Sequence, residues 1–130
     1  MKVFLGGTCN GSTWRDTLIP FLKIDFFNPV VPDWTEECYQ EELRQRESCD
    51  ICVYVITPKM TGVYSIAEVI DDSNKRPEKT VFCVLTNDGD DVFNLGQIKL
   101  LKAVARMVET NGGKSFANLY DLELYLNGRK

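Results

Sequence analysis

Histidine is absent from the chain, which excludes Ser/His/Asp and Cys/His catalytic triads, His-containing zinc sites and histidine general bases. Any acid–base work falls to carboxylates, Tyr, Cys or Lys. There is no basic excess either: 15 Lys+Arg against 19 Asp+Glu leave a net charge of −4, and that balance speaks against the phosphate backbone of DNA or RNA as a partner. Small anions stay within reach of backbone NH groups and helix N-termini. Nowhere does the chain approach 18 uninterrupted apolar residues, and its opening MKVFLGG shows no basic n-region or small-residue cleavage site. A protein of the cytoplasm is expected, with no membrane partner. The five cysteines form an odd set, and Cys52 and Cys83 sit inside apolar runs, so a disulfide framework is not expected.

What is present describes a single domain over residues 1–130. At 44% hydrophobic and 26% charged content, a chain of this length buries roughly two-thirds of its unfolded surface without staples. Short apolar runs alternate with helical periodicity, the pattern of βαβ units around a parallel sheet. Val3-Phe4-Leu5 reads as a first strand stopped by Gly6-Gly7. Thr13 and Asp16 have capping-box spacing ahead of a helix that Pro20 kinks or shortens. The run from Phe26 to Val31 contains Pro29 and fits an edge strand. Asp33 and Glu36 again have capping-box spacing, opening a mostly polar helix through Glu41, Glu42, Leu43 and Arg46. Ile51 to Ile56 is almost wholly apolar and rich in β-branched residues, which predicts a central strand covered on both faces. A loop from Thr57 to Tyr64 precedes a helix over about 66–72, and Val81 to Leu85 forms a fourth strand. Ile98, Leu101, Ala105 and Val108 trace an amphipathic helix. Ser115-Phe116-Ala117 is a short fifth strand, and Leu119, Leu122 and Leu126 mark the last helix.

In open α/β sheets ligands sit beyond the carboxyl ends of the strands, so the segments just after each strand are the candidates. After the first lies Gly6-Gly7-Thr8-Cys9-Asn10-Gly11. Its glycines either admit a ligand close to backbone or serve a tight turn. After the second comes Pro32-Asp33-Trp34, a carboxylate beside a flat ring able to stack on a nucleobase, or else an N-cap and a half-buried Trp. After the third, Gly62 permits close approach, Tyr64 offers a ring, Ser65 offers a hydroxyl, and Glu68 falls in the first turn of the helix, where the dipole favours its ionised form. An ionised carboxylate facing a cleft can attack an anomeric carbon. Ser65 and Glu68 also have capping-box spacing, so a structural role stands beside the chemical one. Cys49-x-x-Cys52 has neither a second CxxC nor a histidine, and its second cysteine lies within the strand, so the pair reads as packing. The acidic turn Asp88 to Asp91 lacks calcium-loop spacing and reads as solvated.

The order of these motifs carries a resemblance. A strand ending in Gly6-Gly7-Thr8, then FFNPVVPDW at 26–34, SCDICVYVITP at 48–58 and TGVYSIAEV at 61–69, resembles the nucleoside 2-deoxyribosyltransferase-like family from Lys2 to about Leu85, most closely from Phe26 to Glu68. The resemblance implies a flavodoxin-like (Rossmann-like) three-layer sandwich with a five-stranded parallel sheet in the order 2-1-3-4-5. It implies that Glu68 attacks C1′ of the sugar and that Asp50, eighteen positions earlier, matches the family's strand-opening aspartate. A carboxylate in the preceding helix, Glu42 with Glu41 next, would contact the sugar or assist proton transfer, and Asp33 is a further candidate for that second acid. Backbone around Gly7 and Thr8 would line the pocket, with Trp34 or Tyr64 stacking on the base. The chain departs from the transferases at Gly62, where they place an aspartate that handles the leaving base. Gly62, Tyr64 and Ser65 suit the 5′-phosphate seat of the related nucleotide N-hydrolases. The partner is a small-molecule nucleoside or nucleotide, no metal or organic cofactor is needed, and family members assemble as homo-oligomers. Glycosyl transfer, nucleotide hydrolysis and a non-catalytic nucleotide-binding module are the three functional readings.

Overall fold

The computed structural model describes residues 1–9 and 11–128. Asn10, part of the first glycine-rich segment, lies outside the described residues. The sheet is built from β1 (Lys2–Gly7), β2 (Asp25–Phe27), β3 (Ile51–Ile56), β4 (Thr80–Val84) and β7 (Lys114–Phe116), all parallel, in the order β2-β1-β3-β4-β7. A separate two-residue hairpin, β5 (Asn87–Asp88) with β6 (Asp91–Val92), lies between the fourth and fifth sheet strands. The spatial order is therefore the expected one, and the fold is flavodoxin-like.

Period-two alternation sends successive side chains of each strand to opposite faces. Val3 and Leu5 of β1, Val53 and Val55 of β3, and Val81 and Cys83 of β4 face α1 (Trp14–Leu18) and α5 (Leu119–Leu126), where Trp14, Leu18, Leu122 and Leu126 close a buried cluster. Phe4, Cys52, Tyr54, Ile56 and Phe82 face the other way, against Val69 of α3 (Tyr64–Lys75) and Val108 of α4 (Leu95–Thr110). On that side α2 (Glu36–Ser48) delivers its C-terminal Cys49 into the same cluster. β3 is buried at every residue, as its composition predicts.

Several local expectations are corrected. β1 does not stop before its glycines: Gly6 pairs with Tyr54 and Gly7 with Val55. A Cβ on Gly7, whose φ is +117°, would lie 2.1 Å from the Val55 carbonyl oxygen, and one on Gly6 would lie 2.8 Å from the Tyr54 ring. The close approach these glycines permit is therefore to the neighbouring strand. Thr13 makes no side-chain cap, and Pro20 opens a 3-10 turn at Ile19–Phe21 that leaves α1 only five residues long. The N-cap of α2 is Thr35, whose hydroxyl accepts from the Cys38 NH at 3.2 Å, and not Asp33. α3 starts at Tyr64 behind an N-cap, Val63, without a side-chain cap bond, so Ser65 already lies inside the helix and its capping box with Glu68 does not form. Glu68 is the fifth residue of α3, beyond the first turn. The acidic turn is more than solvated. Asp88 accepts from the Ser12 hydroxyl at 2.6 Å and the Thr57 hydroxyl at 2.7 Å, tying three segments together beyond the sheet's carboxyl edge. Among the described residues no helix is long and apolar enough to cross a membrane.

Candidate active site

β1 is followed by a neighbour on one side, β2, and then by one on the other, β3, so the connections diverge beyond its carboxyl end. Such a switch point leaves a crevice that no crossover covers. A cleft of about 280 Å³ opens there, floored by Phe4, Gly6 and Gly7 and walled by α2, α3 and the loop carrying Val30, Val31 and Trp34.

Glu68 enters this cleft from α3 with only 6% of its surface exposed. Burial disfavours a carboxylate, and the nearby Glu42 and Asp72 add to that, so its pKa is pushed up to about 7 although the Arg46 guanidinium opposes the shift. The dipole effect expected of a first-turn position is absent because the helix begins earlier. Arg46, on α2 and 3% exposed, places Nη1 at 3.7 Å from Glu68 Oε2. Its Nε donates to Asp72 Oδ2 at 3.2 Å, and its Nη2 donates to Asp72 Oδ1 at 3.0 Å and Asp71 Oδ2 at 3.1 Å. Asp72 also accepts from the Tyr54 hydroxyl and, at 2.5 Å, from Arg76 Nη2.

Glu42, half-buried on α2, lines the same cleft and accepts the indole N–H of Trp34. Trp34 stands edge-on to Tyr39 with centroids 5.3 Å apart and leaves 59% of its surface exposed at the cleft wall. Tyr64 and Ser65 complete the α3 side. Glu41, the other candidate for the second acid, turns away: it accepts from Arg44 at 2.6 Å and Gln45 at 2.7 Å and does not line the cleft.

The remaining candidates are dispersed. Thr8 is buried and accepts the Thr57 NH at 3.0 Å; with Gly62 it borders an adjoining hollow of about 170 Å³ that shares Gly7, Cys9, Tyr64 and Ser65 with the cleft. Gly62 has open space where a Cβ would be. Asp33 is exposed and lines neither cavity. Asp50 lies at the opposite end of β3, where its carboxylate accepts the Lys2 NH at 2.8 Å and its own NH donates to Lys2 O at 2.9 Å, a lock on strand register. Cys49 and Cys52 are packing residues: both are buried, Cys52 donates to the Arg46 carbonyl at 3.2 Å, and burial pushes its thiol up to about 12.

Three contributors were missed in the sequence. Arg15, 5% exposed, stacks on Trp14 and donates to the carbonyls of Leu5 at 3.0 Å and Thr8 at 2.8 Å, binding the β1 end that floors the cleft. Arg46 and Asp72 form the buried ionic group behind Glu68. A signal did exist for Asp72. Tyr54 places a hydroxyl inside a strand covered on both faces, and such a hydroxyl requires a buried acceptor. Asp72, four residues after Glu68 on one helix face, is the acid in reach.

The cleft thus offers two carboxylates from different helices, one with its pKa near neutrality, an exposed aromatic wall, and a buried cation behind the more buried acid. That set can perform nucleophilic and proton-transfer chemistry on a small polar molecule without histidine. The family model described as nucleoside 2-deoxyribosyltransferase like matches residues 1–87. Comparison with curated proteins and with solved structures gives no significant match. With two-thirds of its length matched, including every residue of the cleft, the chain belongs to the nucleoside 2-deoxyribosyltransferase-like family.

Proposed function

We propose that the cleft cleaves or exchanges the N-glycosidic bond of a (deoxy)nucleoside or its monophosphate. The observation that carries this reading is the burial of Glu68 in the cleft, opposite Glu42 and beside Arg46, in a member of this family. In the first step a Glu68 carboxylate oxygen bonds to C1′ as the C1′–N bond breaks, and the electron pair leaves with the base, which takes a proton from Glu42. In the second step an acceptor base or water attacks C1′ and gives its proton to the Glu42 carboxylate, while the C1′–O bond to Glu68 breaks and the Glu68 carboxylate is released. An acceptor base gives a new nucleoside and water gives free sugar. Trp34, held by its bond to Glu42, supplies the face on which the base stacks.

Transfer is the first reading, on the family match. Hydrolysis of a nucleotide is the second, supported by the hollow beside Gly62 and Ser65 at the uncapped start of α3, which has room for a 5′-phosphate. Incubation with a panel of deoxynucleosides and their monophosphates, with and without excess acceptor base, separates the readings by chromatography. New nucleoside is expected. Free sugar alone supports the hydrolase, and binding without either product supports a non-catalytic module.

A further inference from the structure

Arg46 pairs with three carboxylates, more than any other cation among the described residues. Two of its nitrogens fork onto both oxygens of Asp72, one of these also reaches Asp71, and Asp72 is fixed in turn by the Tyr54 hydroxyl and Arg76. Only Nη1 is left pointing elsewhere, and it faces Glu68 Oε2 at 3.7 Å. At that separation the charge is felt but no hydrogen bond forms. The Glu68 lone pairs therefore stay available.

We propose that Arg46 is the positioning residue for Glu68: clamped from behind by Asp72, its guanidinium favours the charged form of the buried carboxylate and directs it into the cleft without capping the oxygen that attacks. This rests on the reading of Glu68 as nucleophile. The groups that face Glu68 are Arg46 and Glu42 from α2, Tyr54 from β3, and Tyr64 and Asp72 from α3 itself. Among them Arg46 is the one cation, so it alone opposes the burial and the two acids that disfavour the charged form. A lysine would not reproduce the arrangement, because an ammonium is a point charge and cannot fork onto Asp72 while presenting a second edge to Glu68.

The test follows the δ-carbon shift of Glu68 by NMR in protein with ¹³C-labelled glutamate, assigned by its loss in Glu68→Gln. Titrations are compared for the wild type, Arg46→Lys and Arg46→Met. Removing an opposite charge at this range raises a carboxyl pKa by about one unit or more. The expected order of midpoints is wild type, then Arg46→Lys, then Arg46→Met, with the acid limb of kcat moving upward by the same interval and KM little changed. A midpoint unmoved in a folded variant overturns the proposal, since a merely structural Arg46 would lower the melting temperature alone. Should Arg46→Met fail to fold with Asp72 unpaired, Arg46→Lys leaves a cation in place and decides by the same shift. The titration needs no substrate. If no nucleoside is turned over while the midpoint still moves, the catalytic reading fails and the control of Glu68 by Arg46 stands.

Discussion

One face of the central sheet packs mainly apolar side chains and the other buries a group of ion pairs, although both are made from alternate residues of the same strands. Beneath α1 and α5 the cluster around Val53, Leu122 and Leu126 is built of apolar side chains, and the buried Arg15 beside Trp14 spends its donors on backbone carbonyls. Beneath α2 and α3, Tyr54 stands between Cys52 and Ile56 and donates to Asp72, which also accepts from Arg46 and Arg76. A buried ionic group adds little net stability compared with apolar packing of the same volume, because the desolvation of each ion offsets its attraction to the partner. Its value here lies in geometry, since the group ends at Glu68 and the cleft. The apolar face supplies the stability that lets the other face carry charge.

That contrast is broken most severely at Glu68. Glu68→Ala is expected to lower turnover at least about a thousandfold, while far-UV circular dichroism shows an intact fold. Glu42→Gln should lower turnover by roughly 10² to 10⁴ through loss of the proton donor, with single-turnover kinetics placing the defect in departure of the base. Next come two stability changes of similar size and opposite meaning. Asp72→Ala strands two arginines and should cost about 3–5 kcal/mol in urea unfolding, with turnover reduced in the molecules that remain folded. Leu122→Ala in the apolar cluster should cost about 2–5 kcal/mol by opening a cavity, with turnover per folded molecule and its pH profile unchanged.

A smaller effect sharpens the comparison through pH. The pKa of Glu68 is raised from 4.5 to about 7 on folding, so the folded state holds this proton more tightly than the unfolded chain does. Its contribution to stability is whole below about 4.5 and is lost as pH rises through 7. The rise corresponds to at most roughly 3 kcal/mol. Glu68→Gln should therefore raise the melting temperature at pH 8, by up to about 9 °C at about 3 °C per kcal/mol, and confer no gain at pH 4. A capping glutamate would give the reverse, a loss of about 1 kcal/mol at neutral pH. For the same reason turnover should rise with pH through 7 if Glu68 attacks as a carboxylate, and fall if it acts as an acid.

The two faces also differ in how far they could be read from sequence. β3 was legible residue by residue because a run of β-branched residues buried on both sides has few other places to go. Strand order was legible through the family resemblance, and the edge position of β2 through Pro29, although the strand itself is Asp25–Phe27 and ends before that proline. Two later helix starts were not legible: Asp33 and Ser65 satisfy capping spacing, yet Thr35 and Val63 occupy those caps, whereas Thr13 does sit at the N-cap of α1, without a side-chain bond. Spacing records which residues can cap and leaves open which one the chain direction selects. Gly6 and Gly7 were read as admitting a ligand or serving a tight turn because the ring of Tyr54 and the carbonyl of Val55, on a strand more than forty residues later, are invisible until β1 and β3 pair. Arg15 and Arg46 were hidden by a sound rule, that arginine is mostly exposed. Both are exceptions because Nε and a terminal nitrogen of each donate to carbonyl or carboxylate oxygen.

Nucleophilic attack by Glu68 is tested most directly by trapping the sugar on it. Protein turning over a deoxynucleoside, quenched in acid and measured by intact mass and peptide mapping, should carry one deoxyribosyl increment on the peptide containing Glu68, absent from Glu68→Ala. Turnover without an adduct, retained in Glu68→Ala, would contradict the assignment.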